Sequence, residues 1–158
     1  MTDRIRKINL YACSLALCLA LMPMQAISQP ENNKVPAMNS KTLPRCPDSP
    51  NCVSSQADAG KHFVEPLVYA GSGQVAFAKL KETIANLPDT RIVQSGDSYL
   101  RAEFRTRWLK FTDDFEAILD ERQAVIHIRS ASRVGYWDLG TNRKRIESIR
   151  ALMPSRVE

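Results

Sequence analysis

Along residues 72–88 the apolar side chains Phe77, Leu80, Ile84 and Leu87 recur at steps of three and four, the spacing of one helical face. Ser72 stands where a cap is needed and Pro88 ends the run, so the pattern predicts a helix whose Lys79, Lys81 and Glu82 face water. Beyond Pro88 the period changes to two. Residues 91–95 and 98–108 read as strands joined at Gly96-Asp97, with Leu100, Ala102 and Phe104 on one face and Tyr99, Arg101, Glu103, Arg105 and Arg107 on the other. Phe115, Ala117 and Leu119 repeat the alternation in a third strand, and Ile126 and Ile128 in a fourth. A last helix is predicted from near Asn142, capped by Thr141 or Asn142, with Ile146, Ile149 and Leu152 or Met153 inward and Pro154 beyond it. These elements predict an α+β fold of two layers, a four-stranded antiparallel sheet with two helices packed on one face.

Like charges directly opposed across a sheet are unfavourable, which selects a register for the polar face. Arg107 opposite Asp114, Arg105 opposite Glu116 and Arg101 opposite Asp120 pairs three bases with three acids, whereas a slip of two sets Glu103 against Glu116. A turn at residues 121–123 then brings His127 beside Glu116, which would raise the imidazole pKa, and Arg129 beside Asp114.

The start of the chain belongs to another class. Arg4, Arg6 and Lys7 precede an apolar run over residues 10–22, shorter than the roughly 18 residues a membrane span needs, and residues 23–28 form a polar exit. This is the pattern of a secretory signal, residues 1–28, with cleavage after Ser28 or Ala26; an uncleaved anchor, or lipidation at Cys18 where Leu17 replaces the small residue required, fits less well. Residues 29–42 read as a flexible tether and residues 43–155 as the folded domain. Of that domain, residues 43–73 are expected to be mostly ordered loop, with a short edge strand at best over residues 64–69.

The whole chain carries a formal charge of +5, and losing the leader takes away three bases and one acid, leaving +3. A periplasmic or secreted address, the mild charge and the lack of a basic motif interleaved with aromatics exclude nucleic acid as partner. Cys46 and Cys52, the cysteines left after the leader, are expected to form a structural disulfide in an oxidising compartment, worth about 2 kcal/mol for so short a loop. A thiol-redox pair lacks the C-x-x-C spacing, and a zinc site completed by His62 lacks a fourth ligand.

Arginines crowd residues 128–145. Arg143, Lys144 and Arg145 occupy the first turn of the last helix, where unsatisfied amides and the helix dipole already favour negative charge, so acidic company is expected. It can be internal, from Asp138, Glu147, Asp113 or Asp114, or an anionic ligand held by Arg129, Arg133, Asn142 and Arg143. Asp113, Asp114 and Glu103 can be drawn as catalytic acids and bases or as a calcium site, but two neighbouring carboxylates do not make a calcium loop, and salt bridges to the arginines explain them better. Ser54, Ser55, Ser130 and Ser132 lack the G-x-S-x-G elbow of serine hydrolases. Tyr136 and Trp137, between Gly135 and Gly140, are expected to plug the open end of the core. No cofactor or metal is implied.

The motifs P-N-C-V-S-S at 50–55, Y-L-R-A-E-F at 99–104, F-T-D-D-F-E at 111–116 and R-S-A-S-R-V-G-Y-W-D-L-G-T-N-R-K-R at 129–145 resemble the domain-of-unknown-function 1499 family, from Cys46 to Met153. The D-D and R-S-x-S-R motifs stand intact. The resemblance implies a small exported or organelle-lumenal domain, bacterial or plastid, and carries over no activity, ligand or catalytic residue. The reading at this point is an exported, non-enzymatic binding domain with an arginine-rich, anion-accepting surface. Its alternative is an enzyme acting on an anionic cell-envelope substrate. The partner expected is an anionic small molecule or envelope component.

Overall fold

The computed structural model describes residues 42–106 and 111–153, so the predicted leader and most of the tether lie outside the described residues. The elements are β1 (Cys52–Ser54), β2 (Leu67–Val68), α1 (Gly73–Ala85), β3 (Thr90–Ser95), β4 (Tyr99–Arg105), β5 (Thr112–Asp120), β6 (Val125–Ser132) and α2 (Thr141–Leu152). The sheet is antiparallel and six-stranded in the order β1-β6-β5-β4-β3, with β2 also paired to β6. The expected four strands are therefore too few. β1 pairs residues 129–131 and β2 pairs residues 125–126, so two strands too short to show a period cover the edge β6 would otherwise expose.

Both helices bury their apolar stripes on one sheet face, as predicted. Phe77, Leu80 and Ile84 of α1 and Ile146 and Ile149 of α2 share one core with Leu100, Ala102, Phe104, Phe115, Ala117, Leu119, Ile126 and Ile128. Ser72 caps α1 by accepting from the Val75 amide, and Met153 rather than Leu152 closes the inner side of α2. The opposite sheet face has a small apolar patch, where Leu43 packs on Tyr99 and Ile118. Cys46 and Cys52 form the expected disulfide, which ties the segment entering that patch to β1.

The registers differ from expectation, and the turns are the reason. Between β4 and β5 the chain closes early, with the Thr106 amide donating to the Phe111 carbonyl, and Arg105 faces Thr112. Glu103 consequently opposes Asp114, and Arg101 opposes Glu116 rather than Asp120. Arg107, the expected partner of Asp114, lies outside the described residues. Between β5 and β6 the turn takes residues 121–124, held by the Asp120 carboxylate accepting from the Arg122 and Gln123 amides and by Ala124 at φ 52°. Arg129 is thereby opposite Glu116 instead of Asp114, and His127 opposite Ile118 instead of Glu116.

Candidate functional site

Alternation along a strand sends neighbours to opposite faces, and it separates Asp113 from Asp114. Asp113 shares the parity of Phe115 and points under α2, while Asp114 and Glu116 point to the other face. The arginines divide in the same way, so two ionic networks lie back to back across one sheet.

On the helix side, Asp113 is 2% exposed and accepts from Arg145 Nη2 at 2.6 Å. Arg145 also donates to Ser130 Oγ and Asn142 Oδ1, and its guanidinium lies 4.6 Å from the centre of the Phe104 ring. Asn142 is fully buried: its Oδ1 accepts from Ser130 Oγ, and its Nδ2 donates to the Asn51 carbonyl, Ser132 Oγ and Asp138 Oδ2. Neither Asn142 nor Thr141 caps α2. Gly140 occupies the cap position at φ 76°, and the Asp138 carboxylate accepts from the amides of Gly140 and Asn142. The negative charge that this helix start called for is Asp138, within the protein. The signal for the network was present, because Ser130 and Ser132 share the parity of Ile128, and Asn142, Arg145, Ile146 and Ile149 follow helical spacing.

On the opposite face, Glu103 and Asp114 stand side by side and are reconciled by arginines from other elements. Arg133 donates to both oxygens of Asp114, at 2.8 and 2.9 Å, and to Glu103 at 2.6 Å. Arg101 adds a bond to Asp114, and Arg91, reaching from β3, one to Glu103. Three guanidinium groups thus share two carboxylates. Next to them Glu116, buried, accepts from Arg129 Nη1 and from the Tyr99 hydroxyl, and the Arg129 Nε–H is buried with no hydrogen-bond partner among the described residues. Burial and the adjacent Glu116 carboxylate push the Tyr99 phenol far above its ordinary range.

The expected anion-binding quartet is not one constellation. Arg129 and Arg133 lie on the outer face, Asn142 is in the core, and Arg143 is exposed on α2 with its guanidinium donating to the carbonyls of Lys61 and Phe63. Glu147, one of the acids expected to answer the basic first turn, pairs with Arg150. The carboxylates drawn as catalytic candidates are all engaged by guanidinium groups. Hydrogen bonds from Arg91 and then Arg133 hold Glu103 below its usual range; burial opposes ionisation of Asp114, but bonds from Arg133 and Arg101 overcome it and lower this pKa too.

These depressed pKa values carry a pH prediction. A carboxylate whose folded pKa lies below its unfolded value stabilises the fold above the unfolded value, and the contribution is lost as pH falls through the folded one. Parent protein is expected to lose stability on acidification below about pH 4.5, where unfolded glutamate and then aspartate take up protons. Arg133→Gln should be less stable than the parent at neutral pH and converge on it in acid, read by urea denaturation at several pH values. A constant gap across that range would refute the coupling.

One contact set was missed entirely. Ser55 Oγ is 3.3 Å from His127 Nδ1, and His127 Nε2 is 3.9 Å from Asp120 Oδ2, which lines up a serine, a histidine and an acid. The 3.9 Å separation is beyond a hydrogen bond, and Ser55 is buried with its oxygen accepting from the Ile128 amide at 2.9 Å. The set therefore works as a tie between the loop after β1 and β6. Burial lowers the His127 pKa against the opposing pull of Asp120, the reverse of the rise expected beside Glu116.

The loop between β6 and α2 also departs from expectation. Tyr136 is 74% exposed and Trp137 69%, so neither plugs the core; Leu139 at 69% and Val134 at 53% are turned outward with them. What faces in is polar: the Asp138 carboxylate binds the start of α2, and the Gly135 carbonyl accepts from Asn51 Nδ2. Two strong backbone demands, an anion for the helix start and a donor for Gly135, are met inward, which leaves the apolar side chains outside. Nothing in the local pattern distinguishes this from a plug.

Among the described residues no helix is long and apolar enough to cross a membrane, and no group of three His, Cys, Asp or Glu side chains is placed to hold a metal. No curated protein matches the chain. The family model described as protein of unknown function (DUF1499) matches residues 42–153, which takes in every strand and both helices. By that match, over most of its length, the chain belongs to the DUF1499 family.

Proposed function

We propose that this is an exported, non-catalytic interaction domain that engages an anionic partner through the loop between β6 and α2. The observation that carries this reading is the loop itself, which presents Val134, Tyr136, Trp137 and Leu139 to solvent while its one acid is turned inward. Contiguous apolar side chains held outward mark a contact surface in soluble proteins. An anionic partner is favoured by the arginine surplus: in the outer-face network four guanidinium groups meet three carboxylates, and Arg143 and Lys144 are exposed beside the loop. Catalysis by Glu103, Asp113 or Asp114 is disfavoured because each is paired to arginine, and for Glu103 and Asp114 the pairing removes the proton a general acid needs.

Complementation of a deletion strain tests the reading. Parent protein is expected in the envelope fraction with residues 1–26 or 1–28 removed, as read by mass. Tyr136→Ser/Trp137→Ser should accumulate and melt like the parent yet fail to complement; full complementation overturns the proposal. If instead Asp114→Asn keeps the fold and abolishes function while the loop variant complements, an enzyme acting on an anionic envelope substrate becomes the better reading.

A further inference from the structure

The exposed loop is not isolated. The Arg133 amide donates to the Thr112 carbonyl at 3.1 Å, so the loop after β6 is bound to the start of β5, and Phe111, 44% exposed, joins its apolar side chains at the same end of the sheet. Among the described residues, five large apolar side chains from two connections therefore share one tip: Phe111, Val134, Tyr136, Trp137 and Leu139. Their outward direction is built in. Gly135 at φ 89° and Gly140 at φ 76° bracket the loop, and Leu139 is itself held at φ 55°, a conformation that disfavours a bulky side chain and persists only where the surroundings impose it. Asn51 and Asn142, both buried, anchor the loop from beneath through the Gly135 carbonyl and the Asp138 carboxylate.

Two cations adjoin the tip. Arg143 and Lys144 follow the loop directly, both exposed and neither with a carboxylate partner among the described residues; Arg143 spends its hydrogen bonds on carbonyls and keeps its charge uncompensated. Trp and Tyr with aliphatic neighbours are the residues that settle at the boundary between acyl chains and headgroups, and adjacent cations bind anionic headgroups. Resting on the interaction reading above, we propose that the partner is an anionic lipid surface, with Trp137 and Tyr136 seated at the headgroup boundary and Arg143 and Lys144 on lipid phosphates.

The test is co-sedimentation with vesicles, comparing mixed phosphatidylglycerol and phosphatidylcholine with pure phosphatidylcholine. Parent and variants carry the same N-terminus, so differences between them report the tip. Parent protein is expected to partition onto the anionic vesicles, less so as salt rises, with a blue shift in tryptophan emission that Trp137→Ala removes. Tyr136→Ala/Trp137→Ala should weaken partition by about tenfold or more, and Arg143→Gln/Lys144→Gln by about fivefold per charge, with melting of the aromatic variant unchanged because both side chains are exposed. Equal binding by parent and aromatic variant overturns the proposal, as does failure of the parent to bind either vesicle. In the latter case, a loop variant that still fails to complement leaves the interaction surface standing and points to a protein partner, whereas one that complements removes both readings.

Discussion

Arg145→Met is expected to cost about 3–5 kcal/mol of unfolding free energy, because it strands a charged Asp113 in the core. The two side chains are 10% and 3% exposed and 2.6 Å apart, and Arg145 also supplies donors to Ser130 and Asn142. Methionine keeps much of the volume against Phe104, so the loss reports charge and hydrogen bonding more than packing. Replacing both partners, Asp113→Leu/Arg145→Met, should recover most of the deficit, since an ion pair replaced by apolar residues leaves no orphaned charge. Urea denaturation measures all three proteins. A single variant within about 1 kcal/mol of the parent would show that water reaches Asp113 and that the pair is not closed under α2.

The second large effect is expected at Asn142. Asn142→Leu, of similar size, leaves the buried Ser130 hydroxyl with no acceptor for its proton, at a cost of about 1–3 kcal/mol, and takes from the Asn51 carbonyl one of two donors, the Ser132 amide remaining. The damage should also be directional. Asn142 Nδ2 binds Asp138, so hydrogen exchange at the loop and the first turn of α2 should quicken more than in β4 and β5. Because Asn142 and Arg145 bond each other and share Ser130, the double variant Arg145→Met/Asn142→Leu should lose less than the sum of the two singles. Strict additivity would mean the two act through separate parts of the core. Uniform acceleration of exchange would mean Asn142 supports the whole fold and has no special hold on the loop.

These residues show where reading the chain succeeded and where it stopped. Phe77, Leu80 and Ile84 with the Ser72 cap defined α1 from positions spaced at successive steps of five residues or fewer, and the structure places all three in the core. The two-residue period of β4, β5 and β6 showed which side chains face the helices. It also implied that Asp113 lies on the helix side, yet Asp113 and Asp114 were grouped as one acidic motif. The register could not be obtained the same way. Pairing charges two strands at a time rejects acid facing acid, but Glu103 opposite Asp114 is satisfied by Arg91 from β3 and Arg133 beyond β6, which no comparison of neighbouring strands includes.

By itself, then, the sequence determined what depends on near neighbours in the chain: two helices, the alternating strands, a cysteine pair able to close a short loop, and enough basic side chains near the last helix to require acids. Only the tertiary structure decided which acid answers which arginine, that Asp138 serves the helix start, and that Tyr136 and Trp137 point away from the core. A charge is neutralised by whatever opposite charge lies closest in space, and here those partners come from elements up to 32 residues apart in the chain. The direction of the loop was set by two buried asparagines, one of them 84 residues away from the carbonyl it holds.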